Sequence, residues 1–314
     1  MLPSSAPPAH AASHGGPRGA LLLTRRGFLG AAGGVVLAGA GGLGLVETGV
    51  VPGRGALHRA LGLDGPDTPL PDTAGGTVVG GTFTSRARRG IKVGWQAAYP
   101  PGERDGARLP VVLALHGRGA SHAFVFRDLG ADRFLAQATG QGTPPFVVAS
   151  VDGGDHSYWH ERSDGDDPPR MLLDELLPVL ERRGLRTHRF GLLGWSMGGY
   201  GSLLLAERHP GRVAAVAAVS PALWLRAEDS APGAFDGPDD FRRNDVFARV
   251  HALRNTPLRV DCGDVDPFAG ATRAFRARLD HRPAGGFATG GHNVQYWRRE
   301  LPRALAFLGA ALRR

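Results

Sequence analysis

Phe190-Gly191-Leu192-Leu193-Gly194-Trp195-Ser196-Met197-Gly198-Gly199-Tyr200-Gly201 is the stretch on which the fold reading turns. It passes from an apolar strand through Gly194-Trp195-Ser196-Met197-Gly198 into a helical pattern, the arrangement of a nucleophile elbow. A serine on so tight a strand-to-helix turn takes a strained backbone conformation, and glycines two residues to either side let strand and helix approach. The Ser196 hydroxyl is thereby presented above the sheet edge, where the N-terminus of the following helix directs positive potential at an oxyanion. In a chain with 48 glycines such a pentapeptide recurs by chance, so its weight comes from the elements and partners around it.

Those elements alternate. Apolar runs at Val111 to Leu115, Phe146 to Val151, Val213 to Val219 and Leu258 to Asp261 read as buried parallel strands. Helical patterns lie between them, from Met171 to Arg183 and from Tyr200 to His209. Gly81 to Ser85 and Ile91 to Tyr99 read as antiparallel strands ending at Pro100-Pro101. The class is α/β, with a mostly parallel central sheet and helices on both faces. Between Ser220 and Leu258 there is room for a short excursion, Leu223 to Phe247, but for no large cap domain.

The partners of Ser196 follow from position. Leu115-His116-Gly117-Arg118-Gly119 comes directly off a strand, which assigns the two oxyanion donors to the backbone N–H groups of Arg118 and Met197. The acid belongs to the loop after a later strand, where Asp261, Asp264 and Asp266 compete; Asp266 is preferred because Pro267 pins its loop, and Asp264 stays open. The glycine-rich run from Gly285 to Gly291 delivers His292 just before the last helix, where a general base belongs. Substrate-facing candidates are Tyr158 and Trp159 in the loop from Asp152 to His160, together with His116 and Trp195; Tyr158 and Trp159 could equally cover the core, and His116 could serve only to shape its loop.

Composition removes several alternatives. The formal charge of +8 comes almost wholly from arginines scattered singly or in distant pairs, not gathered on one helix or stripe, so no nucleic-acid partner is expected. The single cysteine, Cys262, can form neither an intramolecular disulfide nor a cysteine metal site. The acids around Asp152, Asp155, Asp164, Asp166 and Asp167 lack the fixed spacing of a calcium loop, and no metal is expected.

The N-terminus reads as an address. Thr24-Arg25-Arg26-Gly27-Phe28-Leu29-Gly30 opens a weakly apolar stretch running to Val46, which resembles a twin-arginine export signal over residues 1–50. Seven glycines among residues 30 to 44 make it a poor buried helix. No clean cleavage site is visible, so retention as an N-terminal anchor, the one route to a membrane, stays open. Residues 51–76, rich in proline and glycine, read as a linker, and residues 77–314 as the catalytic domain.

Leu113 to Gly117, the elbow from Gly194 to Gly201, Ser220 to Trp224, Asp261 to Phe268 and Gly290-Gly291-His292 together resemble the Putative esterase family of α/β-hydrolases, which includes esterase D, feruloyl esterases and the antigen 85 acyltransferases. The resemblance spans residues 80 to 312 and implies a serine carboxylesterase that acts on small-molecule esters through an acyl-serine, with no cofactor; the twin-arginine-type segment adds the expectation of a secreted or envelope-associated location. Acyl transfer through the same triad is the alternative, although the acid here is an aspartate where the antigen 85 members carry a glutamate. A catalytically silent envelope binding protein on the same fold is the third reading.

Overall fold

The structure, a computed structural model, describes residues 64 to 313, with Leu57 and residues 60–62 ahead of them. The twin-arginine segment and the first part of the expected linker lie outside the described residues. The chain divides after Leu57 into two units, and the sheet belongs wholly to the second.

Eight strands form that sheet: β1 (Val78–Ser85), β2 (Ile91–Ala98), β3 (Pro110–Leu115), β4 (Val147–Val151), β5 (Arg186–Trp195), β6 (Val213–Val219), β7 (Leu258–Gly263) and β8 (Phe287–Ala288). Their order is β1-β2-β4-β3-β5-β6-β7-β8. β1 pairs antiparallel with β2, and β2 antiparallel with β4; every later neighbour is parallel. The parallel strands read as continuous apolar runs because both faces are covered. Along β3, Val111, Leu113 and Leu115 enter one core layer while Val112 and Ala114 enter the other, as the two-residue pleat requires.

Helices α1 (Ala131–Gly140), α2 (Leu177–Arg182), α3 (Met197–Arg208), α4 (Pro238–Arg243), α5 (Ala269–Arg278) and α6 (Val294–Leu312) complete the domain. Leu177 and Leu180 of α2 and Leu203 to Ala206 of α3 pack in the first layer, whereas Phe134 and Leu135 of α1 and Leu301 to Leu308 of α6 pack in the second. The helical run read from Met171 is split: Met171–Leu176 is π-helical and α2 takes over at Leu177. Pro178 supplies the reason, since it has no N–H to bond the preceding turn and its ring crowds that turn's carbonyl. Among the described residues no helix is long and apolar enough to cross a membrane.

Residues 64–76 have no regular secondary structure but lie against the domain. Arg133 donates to the Pro71 carbonyl at 3.4 Å, and Leu70 packs against the second core layer.

One buried group works against the fold. Among the described residues neither carboxyl oxygen of Glu207, at the end of α3, has a hydrogen-bond partner, and burial raises its pKa from 4.5 to about 9, only partly opposed by Arg249. Between those two pH values the unfolded chain has released the proton that the folded chain retains, so stability falls as pH rises through that window. Glu207→Gln is therefore expected to melt with the wild type near pH 4 and about 3–8 °C above it at pH 8. Equal melting temperatures at pH 8 would refute the assignment.

Candidate active site

The elbow joins β5 to α3, and Ser196 at its apex has φ 55° and ψ −120°. This is a conformation that costs an L-residue on the order of 1–3 kcal/mol, so the surroundings must impose it. They do: Ser196 N–H donates to the Val219 carbonyl at 3.2 Å, and its carbonyl accepts from Tyr200 and Ala222 at 3.0 Å each. A side chain on Gly194 would collide with the Gly198 carbonyl, and one on Gly198 with the Leu115 carbonyl, so both glycines are steric necessities. Tyr158, Trp159 and Ser220 also hold positive φ without being glycine, which places four of the five such described residues in the elbow or the loops around it.

His292 lies between two partners. Its Nε2 is 2.8 Å from Ser196 Oγ and its Nδ1 is 2.9 Å from Asp266 Oδ2. The Asp266 side chain is wholly buried; its other oxygen accepts from Phe268 N–H at 2.9 Å. Burial alone would raise the Asp266 pKa, but the bonds from His292 and the Phe268 amide outweigh it and hold the carboxyl below its usual range. The carboxylate therefore acts as acceptor for Nδ1–H and leaves Nε2 to accept from the serine hydroxyl. Phe268 and Trp297 present edges to the imidazole from centroids 5.1 and 5.2 Å away and confine its tilt.

All three competing aspartates touch the histidine loop. Asp261 Oδ1 accepts from Gly286 N–H at 3.2 Å, Asp264 Oδ1 from Gly290 N–H at 3.1 Å, and Asp266 alone reaches the imidazole. Asp261 faces Arg259 in the interior, where burial lifts its pKa to about 6 against the pull of that cation.

Loop 116–122 abuts the serine: a Cβ on Gly117 would stand 3.5 Å from Ser196 Cβ. Among the described residues no hydrogen bond uses the N–H of Arg118 or of Met197, while Gly119 N–H is taken by the Asp155 carbonyl at 3.1 Å. Met197 is the first residue of α3, where a helix leaves its amides without internal partners. The loop is anchored by Asp152, which accepts from His122 N–H at 2.9 Å and from Gly94 N–H at 3.1 Å.

A cavity of about 770 Å³ opens over Ser196 and His292, walled by Phe124, Tyr158 and Trp297 and rimmed by Arg118, Arg127 and Asp155. Tyr158 thus reaches the site; burial raises its phenol pKa, with the Arg118 guanidinium beside it pulling the other way. Three of the expected substrate-facing side chains do not reach it. His116 is fully buried, its Nε2 accepting from Gly153 N–H at 2.9 Å and its Nδ1 bonding the Gly117 carbonyl at 2.8 Å, so it is a neutral brace between β3 and β4 loops. Trp159 is 1% exposed and spends its indole N–H on the His116 carbonyl at 3.1 Å. Trp195 is fully buried in the second core layer, on the strand side of the elbow. Phe124, Phe268 and Trp297 were not singled out in the sequence; Trp297, on the first turns of α6 beyond His292, was the one that helical spacing could have indicated.

Fold and site together define a serine hydrolase built on the α/β-hydrolase sheet. The family described as Putative esterase matches residues 88–308, more than two thirds of the chain, and the chain belongs to that family; it is a carboxylic ester hydrolase. Among solved structures it is similar to a ferulic acid esterase (TM-score 0.66, 20% identity, covering 75% of this chain and 98% of that one). It is also similar to an S-formylglutathione hydrolase from Agrobacterium tumefaciens (0.61, 18%, 78% and 98%) and to a ferulic acid esterase from the anaerobic fungus Anaeromyces mucronatus (0.61, 17%, 78% and 95%). At these identities the likeness is one of fold. No curated protein matches the chain.

Proposed function

We propose that the chain is an exported serine carboxylesterase that hydrolyses small-molecule esters through an acyl-serine intermediate. The observation that carries this reading is the unbroken row from Ser196 Oγ through His292 to Asp266. His292 Nε2 takes the hydroxyl proton as Ser196 Oγ bonds to the ester carbonyl carbon, and the Arg118 and Met197 amides receive the oxyanion. The imidazolium, held by Asp266, then passes that proton to the departing alkoxide. A water molecule repeats the attack, His292 taking its proton and returning it to Ser196 as the acid leaves.

The walls of the cavity, Phe124, Tyr158 and Trp297, suit an apolar or aromatic acyl group, and two of the similar structures are called ferulic acid esterases. The test is turnover of acetate, butyrate and cinnamate-type aryl esters by the full chain, with fluorophosphonate labelling in parallel. Folded protein that neither turns over any of them nor is labelled would remove this reading in favour of a silent binding protein.

The Arg25-Arg26 pair and the apolar run after it support export. Replacing both arginines by lysine is expected to leave most of the protein inside the producing cell, measured by immunoblot of cell fractions. Unaltered export would argue against the twin-arginine route.

A further inference from the structure

His292 sits on an irregular stretch, residues 289–293, between the two-residue strand β8 and the start of α6. No ladder holds that stretch, so its carbonyls and amides need other partners. One direct bond to the stretch comes from a segment more than 220 residues earlier in the chain. Asn293, the neighbour of His292, uses its side chain in two directions: Oδ1 accepts from Tyr296 N–H at 3.0 Å and caps α6, while Nδ2 donates to Asp64 Oδ1 at 2.8 Å, across a separation of 229 residues.

Arg299 of α6 completes the junction. Its guanidinium donates to the Asp64 carbonyl at 3.3 and 3.4 Å, to the Pro66 carbonyl at 2.8 Å and to the Thr289 carbonyl, and it lies over the Tyr296 ring at 5.2 Å. One cation thus bonds the early segment and the histidine loop at once, which the fixed fork of arginine permits and a lysine ammonium does not. Gly65, between the two bonded carbonyls, has φ +71°, and a Cβ there would stand 2.8 Å from both Arg299 Nη1 and the Thr289 carbonyl. The early chain is fitted against the loop, and glycine is the residue that allows it.

We infer that residues 64–66 are a working part of the enzyme, with Asp64 and Arg299 as positioning residues that hold the His292 loop through Asn293 and Thr289. The inference rests on the esterase reading above. A general base displaced by about 1 Å can cost on the order of a hundredfold in rate, so a tie on Asn293, the residue next to His292, has leverage.

The test compares full-length Asp64→Ala, Asp64→Asn, Arg299→Ala and Arg299→Lys with the wild type. It measures kcat and KM on a short-chain aryl ester, the melting temperature, and hydrogen exchange of the peptide covering residues 285–297. Asp64→Ala and Arg299→Ala should lower kcat about tenfold with KM within about twofold, and should speed exchange in that peptide ahead of the rest of the domain. Asp64→Asn, whose amide oxygen can still accept from Asn293, should stay within about threefold of wild type; Arg299→Lys should lie between. Unchanged kcat and exchange in Asp64→Ala would overturn the inference, as would a lowered melting temperature with kcat per folded molecule intact. If Arg299→Ala does not fold, the Asp64 pair decides. If the wild type itself neither turns over ester nor is labelled at Ser196, the esterase reading fails, and the exchange data still judge the clamp.

Discussion

Ser196→Ala is expected to lower kcat on a short-chain aryl ester by roughly 10⁴–10⁶-fold, with KM changed little. The methyl group occupies less space than the hydroxymethyl it replaces, so the cavity and the amides of Arg118 and Met197 stay in place. What disappears is the atom 2.8 Å from His292 Nε2 that would bond to the carbonyl carbon. Residual activity should come from the oxyanion amides and substrate placement alone. The fluorophosphonate label should vanish with turnover. A variant that keeps more than about a hundredth of wild-type kcat, or is still labelled, would move the nucleophile elsewhere.

Asp266→Asn should cost about 10⁴-fold in kcat, and Asp264→Asn less than about tenfold. An amide at 266 can present N–H to His292 Nδ1, which turns the imidazole to the tautomer that carries its proton on Nε2, where it cannot accept from serine. Asp264 only supports Gly290 N–H, a task that an asparagine oxygen can perform. The pair of measurements thus separates orienting the base from supporting its loop. Because His292 and the Phe268 amide hold the Asp266 pKa below the usual carboxylate range, the carboxylate also stabilises the fold above that range, and the contribution is lost as pH falls through the lowered value. Equal losses in the two variants would mean that the acid assignment is wrong.

Much of the site was legible because it is local. Strand, glycine-framed serine and helix occupy twelve consecutive positions, and the steric demands on Gly194 and Gly198 are met within that stretch and by the neighbouring strand end at Leu115. The choice among three aspartates within six positions was not local. It depends on the register of β7 with β8, Cys262 against Phe287 and Gly263 against Ala288, which sets each carboxylate against a different part of the histidine loop. A two-residue strand carries no periodicity from which that register could be read.

The aromatic assignments show the same limit. Tyr158 and Trp159 are adjacent and both have positive φ, so neither strand nor helix spacing tells which faces the cavity; Tyr158 does, while Trp159 is taken by the His116 carbonyl. Trp195 was open to correction from sequence, because it shares a pleat face with Leu193, two residues back, and both lie in the second core layer.

The sequence by itself determined the class of fold, the strand-to-helix turn that carries Ser196 and the loops that carry His292 and the three aspartates, since each rests on hydrophobic period and turn chemistry over a few neighbouring residues. Tertiary structure alone decided which aspartate meets His292, which aromatics wall the cavity, and that residues 64–66 lie against the histidine loop. Those outcomes depend on contacts between segments up to 235 positions apart, whose registers are set by packing of the whole sheet and not by the local chain.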